Sequence, residues 1–282
     1  MENLIGNHLR CGLGNQLFQL FTLISKAIDT NRDFYVLHDS TDKRPLYELL
    51  YFNIKDKIKS GIFNINTNDP LCYHEKKSRI FEDIPNDSTF LIGHYESPYY
   101  FNHNKNEIIN KLKINEMQAK YKFSFKKTIG IHFRFEDNIM QGHVQRPNYF
   151  IKSLNIIKDE LKEDFNNYKF IIFTTKGEND DYLTDRYIYY INSELENPIE
   201  FIKFKDLYPN VKTEEEFLYL SDCNIIITSL STFGWFAFYL SNKNQKRLFM
   251  PNEHNIDYEL FKLDGITVLE NDNINGEDLL KI

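Results

Sequence analysis

The sequence predicts an α/β protein built on parallel sheets with helices on both faces, and three observations lead there. Short apolar runs rich in β-branched residues recur along the chain. Helical stretches with recognisable starts separate them. The 282 residues exceed what one core usually organises, at roughly 100–200 residues per domain, so two domains are expected. Successive strand–helix–strand units form parallel sheets, because each parallel connection needs a crossover and the crossover helix covers a face.

The elements follow in order. Leu4-Ile5 opens an apolar segment, a glycine-rich turn follows, and Gln16 to Ala27 reads as an amphipathic helix. Phe34 to Leu37 and Phe90 to Ile92 are strands, and residues 45 to 80 are mixed, with turn residues from Asn64 to Pro70. Phe101 to Lys120 reads as one helix. The polar stretch from Lys120 to Lys127 is the expected boundary, giving domains 1–122 and 123–282. Thr128 to Phe133 is a strand, and Pro147 suits the first turn of a helix running to about Phe165. Lys169 to Thr174 and Ile199 to Phe204 are strands. Thr213-Glu214-Glu215-Glu216 reads as a capping box starting a helix that ends near Ser221. A strand from Ile225 to Ile227, a helix from about Phe233, and strands near Arg247 and Thr267 complete the pattern.

Composition narrows the function classes. Net charge is -7 and pI about 5.7, with no basic block, which argues against non-specific nucleic-acid binding. Cys11, Cys72 and Cys223 have neither zinc-like spacing nor a disulfide framework. The amino terminus lacks a basic region followed by an apolar core. The apolar stretch from Phe233 to Leu240 falls short of the about 20 residues a bilayer needs. The chain reads as cytoplasmic, without a transmembrane segment.

Four segments carry candidate chemistry. In Arg10-Cys11-Gly12-Leu13-Gly14-Asn15-Gln16, Gly12 and Gly14 allow close backbone approach while Asn15 and Gln16 offer directed amides. No Gly-Lys-Ser/Thr follows, so this is not a Walker loop, and the third glycine of a dinucleotide fingerprint is missing. A plain tight turn is the structural alternative. In Gly93-His94-Tyr95-Glu96-Ser97, His94 and Glu96 alternate on an extended segment and can share a face, or can simply be packed. In Ile131-His132-Phe133-Arg134-Phe135-Glu136-Asp137, His132 and Arg134 share one face near a strand's carboxyl end, where ligands bind in such folds. A guanidinium there suits two phosphate oxygens; the alternative is a surface ion pair with Glu136 or Asp137. In Thr228-Ser229-Leu230-Ser231-Thr232-Phe233, a strand breaks into hydroxyl residues at a helix start, a place that holds phosphates or merely caps the helix. Glu178-Asn179-Asp180-Asp181 reads as a solvated loop rather than a metal cluster.

In this order the four segments resemble glycosyltransferase family 11, the α-1,2-fucosyltransferase family. Gly12 to Gln19 matches its glycine motif, and Gly93 to Ser97 with Tyr100-Phe101 is similar to its second segment. His132-Phe133-Arg134-Phe135-Glu136-Asp137 corresponds to its His-x-Arg-Arg-x-Asp-Tyr motif, and Ser231 to Ala237 is similar to its closing aromatic block. Phe135 stands where the family has a second Arg, Asn138 where it has Tyr, and Glu96 where Gln is common. Pro98-Tyr99-Tyr100 replaces a pattern with Lys before Tyr.

The resemblance implies two Rossmann-like domains facing a cleft, a GT-B-like fold. It implies inverting transfer of fucose from GDP-fucose to an oligosaccharide or glycan hydroxyl, most often α-1,2 on galactose, with no cofactor and no required metal. Arg134 is then expected on the diphosphate and Asp137 as general base, with His94 and Glu96 as rivals on the acceptor side. Gly12, Gly14, Asn15, Gln16, His132, Ser229, Ser231, Thr232 and Phe233 are expected around the donor. Alternatives are an α-1,3 or α-1,6 linkage, or a GDP-sugar- or glycan-binding descendant without turnover.

Overall fold

The computed structural model describes residues 3–39, 47–63, 65–135, 139, 144–174, 180–252, 258–270 and 273–274. The chain divides into two compact units, Met1–Lys120 with Tyr258–Leu263, and Tyr121–Asp257 with Asp264–Ile282. No change of composition near residue 258 signals that a short segment of the carboxyl half groups with the amino-terminal unit.

The amino-terminal unit is an α/β layer structure. Its strands are β1 (Leu4–His8), β2 (Asp33–Asp39), β3 (Ile58–Gly61), β4 (Cys72–His74) and β5 (Phe90–Ile92). They form a parallel sheet in the order β3-β2-β1-β5-β4. The chain first builds outward from β1 to β3, then returns to place β5 on the other side of β1. Its helices are α1 (Leu13–Asp29), α2 (Glu48–Tyr51), α3 (Lys105–Leu112) and α4 (Ile114–Gln118).

One expectation is extended here and one corrected. Helix α1 has the expected amphipathic pattern, but it is buried on nearly every side, with Gln16, Gln19, Thr22 and Ser25 inside as well as its leucines and phenylalanines. Phe101 packs against Phe18 and Phe21. The single helix from Phe101 to Lys120 is instead one 3-10 turn, Asn102–Asn104, followed by α3 and α4, broken at Lys113 with φ 54°. Leu112 and Ile114 are each 1% exposed, and residues two apart on a continuous helix point to nearly opposite faces. The left-handed residue lets both reach the core.

The carboxyl-terminal unit contains β6 (Thr128–Phe133), β7 (Val144–Gln145), β8 (Lys169–Thr174), β9 (Phe201–Lys203), β10 (Ile225–Thr228), β11 (Arg247–Asn252), β12 (Ile266–Glu270) and β13 (Asn273–Ile274). A parallel sheet runs β12-β11-β10-β6-β8-β9, and β7 pairs with β13 in a separate antiparallel ribbon. The helices are α5 (Pro147–Leu161), α6 (Asp180–Glu194), α7 (Phe204–Leu207), α8 (Thr213–Ser221) and α9 (Thr232–Leu240).

Strand β6 is buried at every position, as expected for a central parallel strand covered on both faces. Helix α5 stops at Leu161 and gives way to a 3-10 turn through Lys162, φ 51°. Helix α8 begins one residue earlier than its sequence signal suggests. Lys212 is the cap, and its N–H donates to Glu215 at 2.7 Å, so Glu215 rather than Glu216 closes the first turn. Trp235, Phe236, Phe238 and Tyr239 of α9 are all at most 2% exposed, the signature of a helix enclosed on all sides. Among the described residues no helix is long and apolar enough to cross a membrane.

Candidate functional site

In the carboxyl-terminal sheet the chain moves from β6 outward to β8 and β9, then back across to β10. The order therefore reverses between β6 and β10, and the crevice at that reversal is where open α/β sheets place ligands. His132 and Arg134 lie at the end of β6. Ser229, Ser231, Thr232 and Phe233 follow β10, its direct neighbour. Residues about 95 positions apart in sequence are thus brought to one edge.

Hydrogen bonds lock this edge. Ser229 N–H donates to the His132 carbonyl at 3.0 Å, and the Ser229 hydroxyl donates to the same oxygen at 3.1 Å. That hydroxyl also accepts the Arg134 N–H at 3.2 Å. Leu230 N–H donates to Gln145 Oε1 at 3.1 Å, and Ser231 caps α9 by accepting Phe233 N–H at 3.2 Å. Three of the backbone donors expected to face a phosphate, those of Ser229, Leu230 and Phe233, are therefore engaged by protein oxygens. The Arg134 side chain is partly exposed beside them.

His132 is 4% exposed, stacks on Phe233 with ring centroids 5.2 Å apart, and places Nδ1 3.2 Å from Thr228 Oγ1. Burial first, and the Arg134 charge second, push its pKa down to about 3. The imidazole is neutral near pH 7 and cannot act there as a charged acid. Because the folded-state value lies below the unfolded one, the unfolded chain binds the extra proton. Stability present above about pH 6.5 is lost as pH falls towards 3, at up to about 1.4 kcal/mol per unit. His132→Gln is expected to flatten this acid sensitivity, checked by denaturant unfolding at pH 7 and pH 5.

Phe135, at the position of the second motif Arg, is 1% exposed. It packs against Tyr187 and Phe133 with centroids 5.0 and 5.7 Å apart. This position faces a core and presents no side chain to the sheet edge. Glu136, Asp137, Asn138 and the Glu178-Asn179 pair lie outside the described residues.

A cavity of ≈ 280 Å³ opens on the same sheet edge at the ends of β8 and β9. Its lining includes Thr174, Lys203, Phe204, Tyr208 and Glu216.

The amino-terminal unit repeats the geometry. Its order reverses between β1 and β5, and the glycine motif follows β1 while His94 and Glu96 follow β5. Gln16 is fully buried, donating to the Cys11 carbonyl at 3.0 Å and accepting from Tyr51 at 3.1 Å. It holds the turn. Gln19, not singled out from sequence, does the same by accepting Arg10 N–H at 2.8 Å. Gly14 is buried in the first turn of α1 and Asn15 is partly exposed.

Gly12 has φ -72° and ψ 169°, open to any residue, and an added Cβ would meet nothing within 4 Å. Neither backbone nor packing demands glycine there, which leaves room for an approaching ligand. Gly12→Ala is expected to hold stability within about ±0.5 kcal/mol, checked by thermal melting.

The loop after β5 rests on residues the sequence reading passed over. Glu75 accepts the N–H groups of His94 and Tyr95 at 2.7 and 3.0 Å, and burial raises its pKa. Arg79 Nε meets Glu96 at 2.8 Å, and Glu96 is 6% exposed. His94 Nδ1 is buried without a hydrogen-bond partner. Long-range partners of this kind leave no local pattern for a sequence reading to find.

Two look-alikes are set aside. Ser25, His103 and Asp29 approach one another, but His103 meets both partners through Nε2, at 3.4 and 3.1 Å. A hydrolytic triad uses one ring nitrogen for each partner. Among the described residues no group of three or more His, Cys, Asp or Glu is placed to hold a metal ion.

No family model matches this sequence, and no curated protein matches it either. Solved structures do align with it over most of its length. The E. coli ADP-heptose LPS heptosyltransferase II is 8% identical, covering 99% of this chain and 94% of that one at a TM-score of 0.48. POFUT1 in complex with GDP-fucose is 10% identical, covering 88% and 98% at 0.48. NodZ α-1,6-fucosyltransferase soaked with GDP-fucose is 13% identical, covering 86% and 97% at 0.42. Likenesses this distant carry no argument about activity.

Proposed function

We propose that this chain is an inverting fucosyltransferase with a GT-B-like pair of domains, taking fucose from GDP-fucose to a glycan hydroxyl, α-1,2 on galactose. The observation that carries the reading is the meeting of His132 and Arg134 with Ser229 to Phe233 at the reversal between β6 and β10. Two of the four motif segments there form one anion-suited edge.

In this reading Arg134 holds the diphosphate by charge-assisted hydrogen bonds, and the start of α9 adds its dipole. Charge developing on the departing GDP is thus stabilised by groups already in place. His132 stays neutral and shapes the edge through its stack on Phe233. The nucleoside enters the cavity at β8 and β9, since adjacent strands are only about 5 Å apart and a diphosphate bridges that span. Phe204 and Tyr208 offer rings to the base, and the Glu216 carboxylate can accept from its N–H edge.

The acceptor oxygen attacks the anomeric carbon as the bond to GDP breaks, and its proton passes to a general base. Asp137 is the nominated base, with Glu96 and His94 as rivals. No metal is assigned a step. A second reading, a GDP-sugar-binding protein without turnover, draws on the burial of Phe135, which leaves one motif cation at the edge.

The experiment incubates the purified protein with GDP-fucose and a panel of galactosides and follows free GDP and fucosylated product. α-1,2-linked product supports the full reading, whereas α-1,3- or α-1,6-linked product supports the alternative linkage. GDP binding without transfer or hydrolysis favours the second reading. Absence of GDP binding overturns both.

A further inference from the structure

We propose that Arg79, paired with Glu96, binds hydroxyl groups of an uncharged acceptor sugar, and that Tyr258 and Glu259 are positioning residues for this pair. The inference rests on the acceptor-side reading of the amino-terminal unit given above.

The pair sits where that unit's sheet offers a ligand edge. Strands β1, β5 and β4 are consecutive neighbours. The loop after each contains a non-glycine residue in the left-handed region: Cys11 with φ 68°, Tyr95 with φ 56° and Arg79 with φ 65°. A residue with a Cβ adopts this conformation only when its surroundings hold it there. Asn31, Lys113 and Lys162 share the conformation at helix ends, where it is ordinary.

What holds Arg79 is specific. Its Nε meets Glu96 at 2.8 Å, with side-chain exposures of 23% and 8%. Its guanidinium lies 4.6 Å from the Tyr258 ring centre, within cation–π range. The next residue, Glu259, accepts the Ser97 hydroxyl at 2.6 Å and the Phe81 N–H at 2.5 Å. One short segment therefore ties the loop carrying Arg79 to the loop carrying Glu96.

The chemistry selects the ligand. A guanidinium donates to sugar oxygens and a carboxylate accepts from sugar hydroxyls, so the pair reads a vicinal diol from both sides. The Arg79 charge is already compensated by Glu96, with the Glu259 carboxylate on the adjoining segment, so an acidic sugar gains no net ion pair. Phe81 and Tyr99, 37% and 50% exposed, offer ring faces nearby to the apolar side of a pyranose.

The test is saturation-transfer NMR on the full chain without donor, using lactose, N-acetyllactosamine and methyl β-galactoside, with galacturonate as the acidic counterpart. Wild type is expected to bind a neutral saccharide and to bind galacturonate less well. Arg79→Lys, which keeps the charge but loses the fork, is expected to weaken that binding about tenfold or more. Tyr258→Leu should weaken it comparably, while Tyr258→Phe, which keeps the ring, should restore it. A purely structural Tyr258 would lower the melting temperature without this pattern. Unchanged neutral-sugar binding in Arg79→Lys and Tyr258→Leu overturns the proposal, as does a wild type that binds none of the neutral saccharides. GDP calorimetry on each variant separates the two readings. Arg79-dependent sugar binding with no GDP binding sinks the donor assignment and leaves this one standing.

Discussion

Arg134→Ala is expected to slow transfer from GDP-fucose by about 10²–10³-fold, the usual cost of removing one donor from a preorganised anion site. GDP affinity should fall as well, by about 10–150-fold, from losing charged hydrogen bonds of about 1.5–3 kcal/mol. The backbone of Arg134 is held by the Ser229 hydroxyl at 3.2 Å, and alanine keeps that bond, so the melting temperature should barely move. Arg134→Lys keeps a point charge without the planar fork and should fall between. Arg134→Ala also removes the second of the two causes holding the His132 pKa low; burial, the larger, remains, so the imidazole should stay neutral. Steady-state kinetics and GDP calorimetry decide the matter. Unaltered GDP affinity would retire the diphosphate assignment in favour of a surface ion pair.

Gly234→Ala should produce the largest loss of stability. An added Cβ would stand 2.1 Å from Thr228 Oγ1 and 2.6 Å from Thr228 Cβ, so helix and strand must separate or Thr228 must turn. Thr228 cannot turn cheaply. Its hydroxyl meets His132 Nδ1 at 3.2 Å, and its carbonyl accepts the Tyr149 hydroxyl at 3.0 Å. Helix α9 cannot move cheaply either, because Trp235, Phe236 and Ala237 are fully buried beside the glycine. The cost should exceed the about 1–3 kcal/mol of ordinary overpacking. At about 2–4 °C per kcal/mol for a unit of this size, thermal melting should show a drop of roughly 10 °C, or the protein should be insoluble. Thr228→Ala in the same chain removes the closest atom and should recover part of the loss. A melt within experimental scatter of wild type would show that the close approach of α9 to β10 is relieved some other way.

Much of the site's chemistry was legible locally. His132 and Arg134 at a strand end, and hydroxyl residues between a strand and a helix, are short-range patterns. They survive because period-two alternation and capping depend on neighbours within a few residues. The same logic located β6, β8 and β10 almost to the residue, since a strand buried on both faces reads as a continuous apolar run. It misjudged the start of α1, where Gln16 looked like a directed amide facing a ligand and is instead buried. A buried amide and a ligand-facing amide share the same letter, and only the position of Tyr51 and of the Cys11 backbone separates them.

The sequence by itself determined the main strands of the carboxyl-terminal sheet, that strands and helices alternate as parallel α/β units, and that His132 and Arg134 stand at a strand end; it did not show the helix Asp180–Glu194 or the strands Ile58–Gly61 and Cys72–His74. Tertiary structure alone decided the strand order, and with it the meeting of Arg134 with Ser229 and the pairing of β1 with β5 that puts the glycine motif and Glu96 after neighbouring strands. It also decided that Phe135 faces a core, that Thr228 excludes any side chain at 234, and that Tyr258 and Glu259 reach back to Arg79 and Ser97. The reason is physical. Local torsional and amphipathic preferences act over a few residues and leave a periodic trace in the chain. Contacts such as Arg134 with Ser229 or Arg79 with Tyr258 join segments far apart in the chain; they are selected by packing and hydrogen-bond satisfaction in the folded whole, and no single segment carries their signature.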